Sequence, residues 1–112
     1  MKADAPIQKT LSALGICAKA RALTVGTPMV CESLRGAKKP LAVLAACDNS
    51  ENTAKKLSDK CTYWGVPLTV IDADGDALAA AIGKQSRVAA VAITDENLYR
   101  LVRGTLEKTK EA

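Results

Sequence analysis

The residues most able to do chemistry are four cysteines, Cys17, Cys31, Cys47 and Cys61, spaced 14, 16 and 14 positions apart. No CxxC pair occurs and the chain has no histidine, so the ligand spacing of a zinc site is absent. Without histidine the commonest general base is missing as well, and no cysteine has an activating neighbour in sequence. Gly83-Lys84 has the look of a phosphate loop. The Walker pattern, however, needs Gly at 78 and Ser or Thr at 85, where this chain carries Leu78 and Gln85. Asp72, Asp74 and Asp76 alternate like the opening of a calcium loop. There Gly75 falls at the fourth position instead of the sixth, and the twelfth is Gly83 instead of Glu. Carboxylates at a helix N-terminus account for that cluster better. The expectation is a protein with no catalytic residue, no metal site and no cofactor.

The positive candidate is the turn at Gly26-Thr27-Pro28 and the helix it opens. Glycine permits a tight turn, Thr27 suits the N-cap, and Pro28 suits the first helical position, where its missing N–H costs nothing. A helix start presents unpaired N–H groups and the positive end of the backbone dipole, a seat for a phosphate or a base edge. Arg35, Lys38 and Lys39 lie at the far end of the same helix, and Lys84, Gln85, Ser86 and Arg87 form a polar loop before the last strand. In a layered sandwich, loops from one sheet edge combine into one surface, and Lys or Arg contacts to phosphate would make binding salt-dependent.

The elements that must position these groups alternate helix and strand throughout. Ile7, Leu11, Leu14 and Ala18 recur at helical spacing, followed by a short strand over about 23–25 and a helix with Val30 and Leu34 inward that ends near Gly36. The apolar run 41–46 reads as a central strand covered on both faces. Ser50 or Asp48 can cap the next helix, in which Ala54, Leu57, Cys61 and Trp64 share a face and Lys55, Lys56, Asp59 and Lys60 do not. Gly65 and Pro67 terminate it. A strand over 68–71, a short helix over 76–82 and a buried strand over 88–93 follow. Thr94 or Asp95 then caps a last helix with Leu98, Leu101, Val102 and Leu106 inward, and 108–112 is expected to fray. The expected fold class is α/β, a three-layer α-β-α sandwich around a four-stranded mixed sheet.

Composition agrees with that reading. A chain of 112 residues, 48% hydrophobic and 25% charged, suits one folded domain over 1–112. The apolar payload is aliphatic, with no Phe, one Trp and two Tyr. The net charge of +4 is uneven: residues 1–60 hold ten basic and five acidic side chains, residues 61–112 six and seven. A basic half fits a polyanionic partner. The start, Met1 to Pro6, has no apolar signal region and no stretch reaches membrane-spanning length, so a cytoplasmic protein with reduced thiols in its core and no membrane partner is expected.

Four stretches carry a family resemblance over roughly residues 8–107: the Gly26-Thr27 turn, the segment 50–61 (SENTAKKLSDKC), Val66-Pro67, and the segment 82–88 (IGKQSRV). In these the chain resembles the bacterial YlxQ-type ribosomal proteins of the L7Ae and L30e superfamily. The resemblance implies an α-β-α sandwich and a role at structured RNA, ribosomal or other non-coding, usually a kink-turn with tandem sheared G·A pairs. In such binders the turn reads Gly-x-Asn-Glu with a Lys three residues beyond. This chain keeps Gly26 and Thr27 but places Pro28, Met29 and Glu32 at the Asn, Glu and Lys positions. Each base-reading side chain replaced in this way costs binding on the order of 1–3 kcal/mol. Two outcomes fit: a different structured RNA read by the same edge with Lys38, Lys39, Lys84 and Arg87, or a module for ribosome or translation proteins that has lost kink-turn binding. Exposure of Met29 at the helix start would favour the second, whereas Val30 is expected in the core.

Overall fold

A computed structural model describes the backbone of residues 4–111 and the side chains of residues 7–105. The elements run α1 (Asp4–Lys19), β1 (Leu23–Val25), α2 (Thr27–Arg35), β2 (Ala42–Ala45), α3 (Glu51–Trp64), β3 (Leu68–Val70), α4 (Gly75–Ala81), β4 (Ala90–Ile93) and α5 (Glu96–Glu111). The strands form one mixed sheet in the order β1-β4-β2-β3. β4 is antiparallel to both neighbours, with Val91 opposite Val25 and Ala90 opposite Ala45, while β2 and β3 are parallel.

The period-two alternation of strands sorts the two central ones between helical layers. Leu44, Val91 and Ile93 project into a cluster with Ile7, Leu11, Leu14, Leu78 and Val102, so α1, α4 and α5 cover that face. Val43, Ala45, Ala90 and Ala92 project the other way onto Val30 and Leu34 of α2 and Leu57 and Cys61 of α3. Each fully buried Leu, Val or Ile contributes roughly 1.5–3 kcal/mol. The α-β-α sandwich expected from sequence is therefore present.

Helix ends follow local chemistry. Ser50 caps α3 by accepting from the Thr53 N–H at 3.2 Å, and Gly65 closes it in the left-handed conformation at φ 71°. Asp74 caps α4 by accepting from the Ala77 N–H at 2.8 Å, which places the acidic cluster at a helix start. Asp95 accepts from the Leu98 N–H at 3.0 Å, while the Thr94 hydroxyl donates to the Ala22 carbonyl instead.

Several expectations need correction. The cap of α2 is Gly26, with Thr27 already helical, because Gly26 N–H is held by the Ala90 carbonyl at the end of the strand ladder. Ala54 is exposed instead of sharing the buried face of Leu57 and Cys61, and Leu101 is 43% exposed because neighbouring Val102 takes the inward direction. Cys47, one residue beyond the covered end of β2 and Ala46, is exposed; Cys17, Cys31 and Cys61 are core residues as expected. The strands expected over 68–71 and 88–93 are shorter, Leu68–Val70 and Ala90–Ile93, and the short helix begins one residue earlier, at Gly75. The inward placement of Leu106 and the fraying of 108–112 lie outside the described side chains.

Candidate nucleic-acid interface

The Gly26 turn forms where β1 runs off the sheet. Its N–H donates to Ala90 O at 2.9 Å, and its carbonyl accepts the first helical bond from Val30 N–H at 2.9 Å. Between these two bonds the backbone must reverse, and Gly26 does so at φ 94°, ψ 146°, a region reserved for glycine. No side chain caps α2. Pro28 has no N–H, so the Thr27 and Met29 N–H groups are the donors left for an outside acceptor. Pro28 is exposed and Met29 is 58% exposed, whereas Val30 is buried. One turn further on, Glu32 and Arg35 lie 3.6 Å apart as an exposed pair, each muting the charge of the other.

The same sheet edge gathers the end of β2 and the starts of α3, α4 and β4. Arg87 is the tie. Its Nη2 donates to the Asp48 carboxylate, to Asp48 O at 3.1 Å and to Asn49 Oδ1 at 3.2 Å. Asp48 Oδ1 also accepts from Gly75 N–H at 3.0 Å, Asn49 Nδ2 donates to Ala89 O at 3.1 Å, and Val88 N–H donates to Gly75 O at 3.1 Å. Partial desolvation pushes the Asp48 carboxyl up. The Gly75 N–H bond and the hydrogen bond and charge of Arg87 outweigh it and hold the carboxyl below its usual range. Asp48, Asn49 and Gly75 escaped the sequence reading as site residues. The one signal was a polar pair following a long apolar strand, and it read as a helix cap.

The predicted cations do not assemble at this edge. α2 has nine residues, so Arg35 stands about 13 Å from the turn. Lys38 and Lys39 lie in the segment that leads into β2 at the opposite end of the sheet, where Leu41 N–H meets Ile93 O. Lys39 donates to Gly36 O at 3.0 Å and sits 4.6 Å from the centroid of the Trp64 ring. The expected single surface of Lys38, Lys39, Lys84 and Arg87 is thus divided. Lys84, Gln85 and Ser86 are exposed, and Lys84 N–H bonds Ala79 O on the last turn of α4; Arg87 alone reaches the knot at Asp48. Asp48, Glu51, Asp72, Asp74 and Asp76 follow β2 and β3 at the same end of the sheet, and the Gly26 turn itself presents backbone donors and an apolar rim. No group of side chains fit to hold a metal ion occurs among the described residues.

Residues 8–109 match the Ribosomal protein L7Ae/L30e/S12e/Gadd45 family. The chain belongs to that family. As an L7Ae-family member it is 40% identical over 83 residues to the RNA-binding protein YlxQ of Bacillus subtilis (strain 168), covering 74% of this chain and 80% of that one. It is 32% identical over 104 residues to the RNA-binding protein YlxQ of Enterococcus faecium, covering 93% and 90%. A solved structure of a Bacillus halodurans protein of unknown function superposes with a TM-score of 0.78 at 31% identity, covering 88% of this chain and 97% of that one. The 15.5 kD RNA binding protein of Giardia lamblia superposes with a TM-score of 0.77 over 95% and 88%; at 19% identity it speaks for the shared L7Ae-family fold alone.

Proposed function

We propose that this L7Ae-family chain is a non-catalytic RNA-binding protein of ribosomal type that docks a structured RNA at the Gly26 edge, with a specificity altered from that of standard kink-turn binders. The observation that carries the reading is the uncapped start of α2, where the Thr27 and Met29 N–H groups precede the first helical bond. The names of the YlxQ relatives support RNA as the ligand class. Pro28, Met29 and Glu32 replace the amide, carboxylate and ammonium that the resemblance places against G·A pairs, so base reading here falls to other contacts. The proposal takes 1–112 as one domain acting in the cytoplasm on ribosomal or other non-coding RNA. Among the described residues no helix is long and apolar enough to cross a membrane.

A second reading has a specific observation in its favour: Met29 and Pro28 make an exposed apolar rim where a polar one belongs. On that reading the same edge docks a ribosome or translation protein. Titration with a kink-turn RNA and a plain duplex at two salt concentrations separates the cases. RNA docking at the turn predicts tighter binding to the kinked RNA than to the duplex. Equal, steeply salt-dependent binding to both leaves only electrostatic attraction. Absence of binding to either, with a ribosomal protein partner retained, gives the edge to the second reading.

A further inference from the structure

We propose that the end of the molecule opposite the Gly26 turn is a second RNA surface, which takes an unpaired strand by stacking a base on Tyr63 and holding its phosphates with Lys38, Lys56 and Lys60. The inference rests on the RNA-binding reading above and adds a ligand class, single-stranded RNA, and a place for it.

Tyr63 is one of three aromatic residues in the chain, yet its side chain is 77% exposed and absent from both core clusters. It is not loose. Its ring meets Trp64 at 90° with centroids 4.8 Å apart, and the Lys39 ammonium sits over the same Trp64 ring. Trp64 in turn packs against the α2–α3 core. A base has a stacking platform in Tyr63, with Trp64 fixing its position from behind.

Three lysines, on α3 and in the segment before β2, are uncommitted. Lys55 is paired with Asp59 and Arg35 with Glu32, but Lys38, Lys56 and Lys60 form no ion pair among the described residues. Lys56, Lys60 and Tyr63 stand at i, i+4 and i+7 on α3, one helical stripe. That helix starts at the Gly26 edge and ends at Tyr63-Trp64, about 21 Å for its 14 residues. A strand leaving an RNA docked at the Gly26 edge can therefore follow a line of lysines to the aromatic pair. At the Gly26 edge Arg87 is tied to Asp48, so contacts there fall to the backbone donors at the start of α2. Phosphates are drawn to the lysine end.

Trp64 is the chain's one tryptophan, so its emission reports this end alone. The test titrates the full chain with an unstructured RNA of about ten nucleotides, a length within the range of known single-strand sites. Anisotropy of the labelled strand gives the affinity, and Trp64 emission gives the location. The expected result is quenching of Trp64, binding that weakens steeply with salt, and a loss of about tenfold in Tyr63→Ala. Lys60→Gln should lower the salt slope by about one. A structured RNA without a tail should leave Trp64 emission unchanged. Affinity unaffected by Tyr63→Ala, or quenching matched by inorganic polyphosphate, overturns the proposal. Binding of the structured RNA without any binding of the strand overturns it too and leaves the Gly26 reading standing. Failure of both RNAs to bind removes the two readings together.

Discussion

Arg87 lies along Gly75 so closely that a Cβ at Gly75 would meet Nε and Cζ of the arginine at 2.7 and 2.8 Å. The bare Cα lets the guanidinium settle on Asp48 and Asn49, which joins three loops of the Gly26 edge into one body. Arg87, a cation that the sequence offers as a phosphate contact, is thereby committed to a bond network inside the protein.

Gly75→Ala should therefore displace Arg87 from Asp48 and destabilise the chain by about 0.5–3 kcal/mol, the usual span of a disruptive point substitution. Gly75 needs no positive φ, so in an Arg87→Ala background the same change should be neutral or slightly stabilising through helix propensity. Denaturant melts of the four proteins give the coupling energy; additive effects would show that the two residues do not interact.

Asp48 makes the network sensitive to acid. Its carboxyl is held below the usual range in the folded chain, so its contribution is present above the unfolded value near ~3.9 and is lost as pH falls through the lower folded one. The stability gap between the wild type and Asp48→Asn should be widest above about pH 5 and shrink as pH falls below the unfolded carboxyl value of ~3.9. A gap that is flat across that window would show that Asp48 is not held as described.

Gly26→Ala tests backbone strain in isolation, because a Cβ there would meet nothing within 4 Å. At φ 94°, ψ 146° the substitution should cost roughly 1–3 kcal/mol in a thermal or denaturant melt and loosen the start of α2.

Thiol accessibility gives a direct check on the layers. Burial pushes the Cys17 thiol up, with Asp95 adding to it, and burial pushes the Cys61 thiol up, with Cys31 adding to it. Under native conditions a maleimide should modify Cys47 rapidly, and Cys17, Cys31 and Cys61 only on unfolding. Rapid native labelling of a second thiol would contradict the packing.

Architecture was open to sequence reasoning because each layer leaves a period. Residues 41–46 and 88–93 carry short continuous apolar runs of the kind a doubly covered strand shows, and both supply buried central strands. Exposure at element ends was less legible: Leu101 and Val102 are both apolar, and only the packing of α5 on α1 decides which turns inward. The Gly26 turn was legible from its residues, but its partners were not. Asp48 and Arg87 meet across 39 positions, a pairing set by the antiparallel β2–β4 register that no local pattern encodes. Lys38 and Lys39 went astray for a simpler reason. A nine-residue helix carries the chain across the sheet, so whatever follows it belongs to the other end.

Restoring the family pattern should change recognition without touching the frame. Pro28→Asn, Met29→Glu and Glu32→Lys together should raise kink-turn affinity at least about tenfold, as expected if each restored base-reading side chain adds on the order of 1–3 kcal/mol. All three side chains are exposed, so stability should hold. Unchanged affinity would mean that the Gly26 turn does not face the RNA.

The two donors at the start of α2 are where RNA docking at the Gly26 edge is most directly tested. Amide shifts of the 15N-labelled chain should be followed while a structured RNA without single-stranded tails is added. The Thr27 and Met29 amides should move most, with Gly26 and the Asp48–Arg87 loops beside them. RNA binding that shifts other amides and leaves Thr27 and Met29 in place would contradict docking at that edge.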